Sequence, residues 1–377
     1  MTVYRAGAIG RTGNGDWGHG LDLAFVGIKN VEFVAVADDN PEGLAAAVKR
    51  TGAKTPYDDY RDMLAKENLD LVAVCPRWTG CHRDMVTFAA ESGVKGILCE
   101  KPFASTLQDA DAMLEACERS NTRVAVAHRR ANPYEQHAKK LVSNGNIGEL
   151  QTLKAHGKCD HRSGAQDLMV LGTHMMDSMR YIAGSAVKWA TGHVTQNGRD
   201  VTLTDVRPGD EEIGLIAGNG VSAYYAFENG VSAHFESLPS DMSSDRTNNW
   251  FGFEAYGTQG IISIRNTPKG NMFLYPYGQW VPGNNDELWE PIVIDDWGQH
   301  EGVPNRDSMH LSNRMIVTEL IDAVGEGRDV VRSSSGTDAL AALEMIMAAH
   351  ESHRFGSRIT FPMKNRENPY EVWIRES

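Results

Sequence analysis

The sequence predicts an α/β domain with a doubly wound, mostly parallel sheet, followed by an α+β domain with a mostly antiparallel sheet. Three observations carry this. Over the first 125 residues, short β-branched runs alternate with longer amphipathic ones, which is the rhythm of βαβ units. None of the short runs alternates strictly between apolar and polar residues, as expected for strands buried on both faces. After residue 128 the runs lengthen and become polar on one side, the pattern of an antiparallel sheet with one covered face.

Taken in order, strands are expected at 3–9, 33–37, 69–75, 96–99 and 124–128. Helices are expected between them at about 18–28, 42–50, 59–66, 82–92 and 106–119, several with Asp, Pro or Thr at their starts. Pro133 opens a helix to about residue 143, which Asn144-Gly145-Asn146-Ile147-Gly148 closes. A strand at 150–157 begins the second sheet. Helices near 167–182 and 308–326 flank strands around 188–195, 212–216, 221–227, 231–237, 250–256 and 260–264. The stretch 266–300, with Pro, Gly, Asn and three Trp, carries no assignable period. The domains are therefore 1–125 and 126–377, with the last helix and strand as candidates to pack back on the first.

Composition narrows the function. The 377 residues hold 37 Lys plus Arg against 50 Asp plus Glu, a formal net charge of −13. Such a surface repels phosphate backbones and anionic headgroups, so neither nucleic acid nor membrane is expected as a partner. No apolar run approaches the roughly 18 residues of a membrane span. Cys75, Cys81, Cys99, Cys117 and Cys159 are odd in number and never form a CxxC pair, which points to reduced thiols. With no export signal at the start, a cytoplasmic location is expected.

The chemistry begins directly after the first strand. Gly10-Arg11-Thr12-Gly13-Asn14-Gly15-Asp16-Trp17-Gly18 contains GxGxxG as Gly13, Gly15 and Gly18, although Gly7 and Gly10 leave its register ambiguous. Glycines there let the backbone approach a pyrophosphate, and a following helix aims its amides at the negative charge. Asp38, at the end of the second strand, is placed to accept ribose hydroxyls and to repel a 2′-phosphate, which favours NAD over NADP. The next constellation is Val74-Cys75-Pro76-Arg77-Trp78-Thr79-Gly80-Cys81-His82, followed by Glu100-Lys101-Pro102-Phe103.

With these motifs the sequence resembles the Gfo/Idh/MocA family of sugar and cyclitol oxidoreductases. The resemblance extends through Arg129-Arg130-Ala131-Asn132-Pro133, Gly145-Asn146-Ile147-Gly148, Gly172-Thr173-His174-Met175-Met176-Asp177, Gly257-Thr258-Gln259-Gly260 and Arg358-Ile359-Thr360-Phe361-Pro362. It implies a Rossmann domain over 1–125 and an open antiparallel sheet whose outer face mediates a homo-oligomer, a dimer or tetramer. It implies NAD as cofactor, held by Gly10, Gly13, Gly15, Gly18, Asp38, Pro76, Arg77, Trp78, His82, Glu100 and Lys101. Lys101 is then the catalytic lysine: an ammonium at a strand's carboxyl end, in a partly dry cleft, can trade protons with a substrate hydroxyl as hydride leaves the same carbon. His174 matches the family's catalytic histidine, but Val170 stands where its aspartate partner would share the helix face. Asp167 and Asp177 are candidates to substitute, and Asp177 is also read as a helix-surface or domain-contact residue.

Substrate contacts are expected from Lys101, His128, Arg130, Lys158, Arg162 and His174, with Arg77, Arg129 and His161 also near. Arginine forks suit an anionic sugar or uronate, unless these groups pair with acids of the protein itself. His156-Gly157-Lys158-Cys159-Asp160-His161 offers metal-ligand types, but strand alternation would divide them between two faces, so no metal is expected. Trp78 either packs on the dinucleotide or plugs the domain interface. The leading function is an NAD-dependent enzyme oxidising a secondary hydroxyl of a carbohydrate. The alternatives are a glycosidase that oxidises its sugar transiently, eliminates the aglycone, adds water and returns the hydride, and a non-catalytic NAD-binding regulator.

Overall fold

The computed structural model describes residues 2–267, 270–283, 286–294 and 305–377. The chain divides into two compact units. The first takes in Met1–Ala131, Asp210–Gly214 and Gly302–Leu340, and the second Asn132–Gly209, Leu215–Glu301 and Ala341–Ser377.

In the first unit β1 (Tyr4–Ile9) leads to β2 (Val31–Ala37), α1 (Pro41–Thr51), β3 (Thr55–Tyr57) and α2 (Tyr60–Glu67). Then follow β4 (Leu71–Val74), α3 (His82–Glu91), β5 (Gly96–Cys99), α4 (Leu107–Ser120) and β6 (Arg123–Val126). These strands pair in parallel in the order β6-β5-β4-β1-β2-β3, and Ser334–Ser335 adds antiparallel to β6. The chain leaves β1 toward β2 and returns on its other side as β4, so the strand order reverses there. That crevice is where doubly wound sheets bind ligands. Ala6, Ala8, Val36, Leu71, Ala73 and Leu98 are buried within the sheet, packed with Ile316, Val317 and Leu320 of the helix Asn305–Glu326. Side-chain caps fix the helix starts: Asn40 accepts from the amides of Glu42 and Gly43, and Thr106 from that of Asp109.

Three expectations for this half change. Residues 18–28 form only a 3₁₀ turn at Leu21–Leu23, because Gly20 and Gly27 hold left-handed φ of 77° and 75° and deny the segment a continuous helix. The three-residue strand β3 was too short to leave a period. Strand 69–75 is confined to Leu71–Val74.

In the second unit a sheet runs in the order Glu290–Pro291, Gly270–Tyr275, Ile261–Thr267, Gly252–Gly257, Leu150–His156, Ser232–Ser237, Gly220–Phe227, Val187–Gln196, Ile359–Thr360. Every pair along it is antiparallel except Leu150–His156 with Ser232–Ser237. Leu153 and Ala155 are buried while Lys154 between them is exposed, the alternation of a sheet covered on one face. The expected 167–182 helix is two, Ala165–Val170 and Gly172–Ala183, broken at Leu171. The stretch left unassigned holds the strands Gly270–Tyr275 and Glu290–Pro291 and a 3₁₀ turn at Asp286–Leu288, with 268–269, 284–285 and 295–300 outside the described residues.

Candidate active site

The glycine loop closes on itself. The backbones of Arg11 and Asp16 exchange hydrogen bonds of 3.1 and 3.0 Å, and the Asp16 carboxylate accepts from the Gly13 amide at 2.9 Å. Its glycines divide into two kinds. A Cβ at Gly15 would stand 2.6 Å from the amides of Arg77 and Trp78, so this glycine lets the loop lie directly on the turn after β4. Gly10 and Gly18 are likewise packed, on the Trp17 ring and the Cys75 carbonyl. Gly13 alone of the four opens to clear space.

Asp38 is buried at 2% exposure and already occupied. Its carboxylate accepts from the Thr12 hydroxyl at 2.6 Å, from the Thr12 amide at 3.1 Å and from the Asn40 amide at 3.0 Å. It therefore anchors the glycine loop as well as standing at the end of β2. Thr12 was not singled out in the sequence, where only its position inside the loop could have marked it.

The turns after β4 and β5 are clasped by His82, which the resemblance assigned to the cofactor. Its Nε2 lies 2.7 Å from the Pro76 carbonyl and its Nδ1 3.1 Å from that of Phe103, and the ring is wholly buried. Its contacts are thus with the protein, and it sets the spacing of the two turns. Arg77 donates its amide to the Gly15 carbonyl at 3.0 Å, and its guanidinium stands 3.6 Å from the Asp16 carboxylate. Its Nε is buried without a hydrogen-bond partner. Trp78 begins the 3₁₀ turn Thr79–Cys81. Glu100 is completely buried, with Oε1 on His19 and Oε2 unpartnered. Burial pushes its carboxyl up, but the charge and hydrogen bond of His19, with Lys101 and His82 behind them, bring it below the ordinary value. Lys101 is 4% exposed, and its bond to Pro102 is cis. An open glycine tip, an orphaned guanidinium nitrogen and a buried acid–lysine pair, all at strand carboxyl ends, fit a dinucleotide.

The expected substrate cations of this unit are tied down. The His128 ring stands 3.0 Å from the Ser334 hydroxyl, and Arg130 donates to Asp338 at 2.8 Å with only 5% of its side chain exposed.

In the second unit Lys158 and Arg162 both face Asp160. Arg162 forks onto it, with Nε at 3.0 Å, and Lys158 lies at 3.7 Å. Burial raises the Asp160 carboxyl, but Arg162 and Lys158 outweigh it and hold it at about 2. His174 lies in the first turn of Gly172–Ala183, its ring 6.4 Å from that of Phe251. Val170 ends the preceding helix and His174 lies in the next, with Leu171 between the two. One oxygen of Asp167, Oδ2, accepts from the Ser237 hydroxyl at 2.6 Å and the Cys159 amide at 2.9 Å, while its buried Oδ1 has no hydrogen-bond partner. Burial raises its pKa against those bonds. Asp177 is wholly buried, which corrects its reading as a surface residue.

The metal-like run also departs from expectation, because its strand stops at His156 and Cys159 turns to a left-handed φ of 54°. Alternation therefore does not govern it. His156 instead lies 3.4 Å from Glu236 and 3.6 Å from Glu254. Among the described residues no cluster of His, Cys, Asp or Glu could hold a metal ion. Burial lifts the Cys81 thiol to about 11 and those of Cys75 and Cys99 well above their usual range, so none of these offers a thiolate nucleophile.

Residues 6–128 match the model of a family described as an oxidoreductase family with an NAD-binding Rossmann fold. The levoglucosan dehydrogenase of Pseudarthrobacter phenanthrenivorans is 28% identical over 67% of this chain and 72% of its own. The D-apiose dehydrogenase of Paraburkholderia graminis is 34% identical over 44% of this chain and 47% of its own, so the chain spans about half of that relative. Among solved structures, an oxidoreductase from Agrobacterium radiobacter in complex with NAD+, L-tartaric acid and magnesium superposes with a TM-score of 0.69. It is 21% identical, over 95% of this chain and 98% of that one, a likeness of fold.

Proposed function

We propose that this chain, whose residues 6–128 match the NAD-binding Rossmann model of the Gfo/Idh/MocA oxidoreductase family, oxidises a secondary hydroxyl of an uncharged sugar, sugar derivative or cyclitol. The observation that carries this is Lys101, nearly buried beside Glu100 on the turn after β5. NAD, when bound, supplies the hydride acceptor. The Gly13 tip and Arg77 would hold its phosphates, and Asp38 its adenosine ribose. Lys101 takes the proton from the substrate hydroxyl. The uncharged substrate is supported by three of the candidate cations: Arg130, Arg162 and Lys158 each already face an acid of the protein.

Two coarser features accompany this reading. The sheet of the second unit displays a run of rings, Trp189 with Tyr224 at 5.2 Å and Tyr224 with His234 at 5.0 Å, which supports a homo-oligomer through that face. Five unpaired cysteines support a reducing, cytoplasmic setting, and no described helix is long and apolar enough to cross a membrane.

The test is a panel of neutral and anionic sugars and polyols with stoichiometric NAD, followed by absorbance of reduced nicotinamide. Turnover on a neutral member is expected. Turnover confined to uronates would overturn the uncharged substrate, and none on any member would overturn the enzyme.

A further inference from the structure

Five residues from the middle of the sequence, Asp210–Gly214, are part of the first unit, although the residues on both sides of them belong to the second. They form the tip of a short hairpin in which Arg207–Pro208 pairs with Leu215–Ile216. Three separate segments of the first unit hold this tip through one residue, Glu212. Its carbonyl accepts from the Thr79 hydroxyl at 2.7 Å and from the Ser105 hydroxyl at 3.0 Å. Its carboxylate meets the Arg11 guanidinium at 3.2 Å.

The three anchors come from three places of one kind. Arg11 follows β1, Thr79 follows β4 and Ser105 follows β5, so the tip ties together the carboxyl ends of three neighbouring strands. Those ends form the rim at which a doubly wound sheet binds its ligand. Arg11 is also the residue whose backbone closes the glycine loop against Asp16, so fixing its side chain fixes the base of the loop while Gly13 stays open.

Two observations distinguish this from a passive surface turn. Glu211 and Glu212 are successive non-glycine residues in the left-handed region, at φ 63° and 55°. Such conformations persist only where the surroundings over-determine them. Gly80 leaves the room that Glu212 needs: a Cβ there would stand 2.5 Å from Oε2 and 3.2 Å from the Glu212 Cβ.

We propose that Asp210–Gly214 is a strap across the rim of the dinucleotide site, in which Glu212 is a positioning residue that holds Arg11, and through it the glycine loop, so as to slow the release of NAD. This rests on the reading of the first unit as the NAD site. Glu212 acts through Arg11 and need not touch the cofactor.

The experiment loads the full-length protein with NADH, displaces it with excess NAD and follows nicotinamide fluorescence by stopped flow. Glu212→Gln removes the negative charge that faces Arg11 but keeps the carbonyl, and Gly80→Ala pushes the same side chain away. Each is expected to speed dissociation by about threefold, the scale of an exposed ion pair. The double variant Thr79→Val/Ser105→Ala frees the carbonyl and is expected to speed it by about tenfold. Association rates and the melting temperature of the cofactor-free Glu212→Gln protein should stay at the parent's values. Dissociation rates equal to the parent's in all three variants overturn the strap, as does a lowered melting temperature with unchanged dissociation. If the parent itself fails to bind NADH, the cofactor reading falls and the strap with it.

Discussion

At Lys101 burial removes most of the water from an ammonium whose neighbour, Glu100, is buried completely and shares its charge with His19. A group so placed contributes chiefly when a proton moves. Lys101→Ala should therefore lose about 10²–10⁴-fold in turnover while calorimetry finds NAD binding within the parent's range, and a variant that lost both equally would make the residue structural. Asp38 differs, because its carboxylate already carries Thr12 and Asn40. Asp38→Ala should reduce NAD affinity and also destabilise the protein by about 2 kcal/mol, the scale of hydrogen bonds to a buried charge. Thr12→Val should lower the melting temperature and leave the preference for NAD over NADP unchanged; a relaxed preference in Thr12→Val would show that Thr12, too, selects the cofactor. The sequence made Lys101 and Asp38 legible because each ends a strand in a known rhythm. It could not reveal His19 on Glu100 or Glu212 on Arg11, whose partners lie 81 and 201 residues away with no periodic signal joining them.

Among the elements, long strands and capped helices were legible since period and cap residues agree, as in Pro41–Thr51 with Asn40 before it. The helix expected after the glycine loop failed because local glycines outweighed the amphipathic pattern. One pair of elements also carries a pH response. Tyr370, in the C-terminal helix Pro369–Glu376, meets Nδ1 of His350 in the helix Gly336–Phe355 at 3.0 Å. Burial, with the charge of His353 behind it, lowers the His350 pKa from 6.5 to about 4. Protonation then favours the unfolded chain. Stability is full above about pH 6.5 and falls as pH drops toward 4, by about 3 kcal/mol once both values are passed. Thermal melts between pH 7.5 and 4.5 should show a shallower acid decline in His350→Gln than in the parent; parallel curves would assign the decline to other groups.

For the molecule as a whole, the open question is where the hydride ends. A dehydrogenase passes it to NAD and releases a ketone, so reduced nicotinamide grows with product and stops when NAD is exhausted. An oxidation-dependent glycosidase returns it within each cycle, so a trace of NAD suffices and the hydrogen beside the transient ketone exchanges with solvent. Val170 makes the comparison worth drawing. It is buried and apolar, it ends its own helix, and it gives His174 no carboxylate to orient the imidazole. Both routes need the same first step, abstraction of the hydroxyl proton and loss of hydride, so the role proposed for Lys101 suits either. What the dehydrogenase does not need is a group to activate water afterwards. Burial raises the thiols of Cys75, Cys81 and Cys99 well above their usual range, and one oxygen of Asp167 accepts from Ser237 and the Cys159 amide. Simple oxidation is therefore the expected outcome. Free sugars and aryl glycosides, offered in D₂O with a trace of NAD and followed by mass spectrometry and NMR, should yield ketone no greater than the NAD supplied and no aglycone. Aglycone in large excess over NAD, with one deuterium in the sugar, would replace the dehydrogenase by the glycosidase.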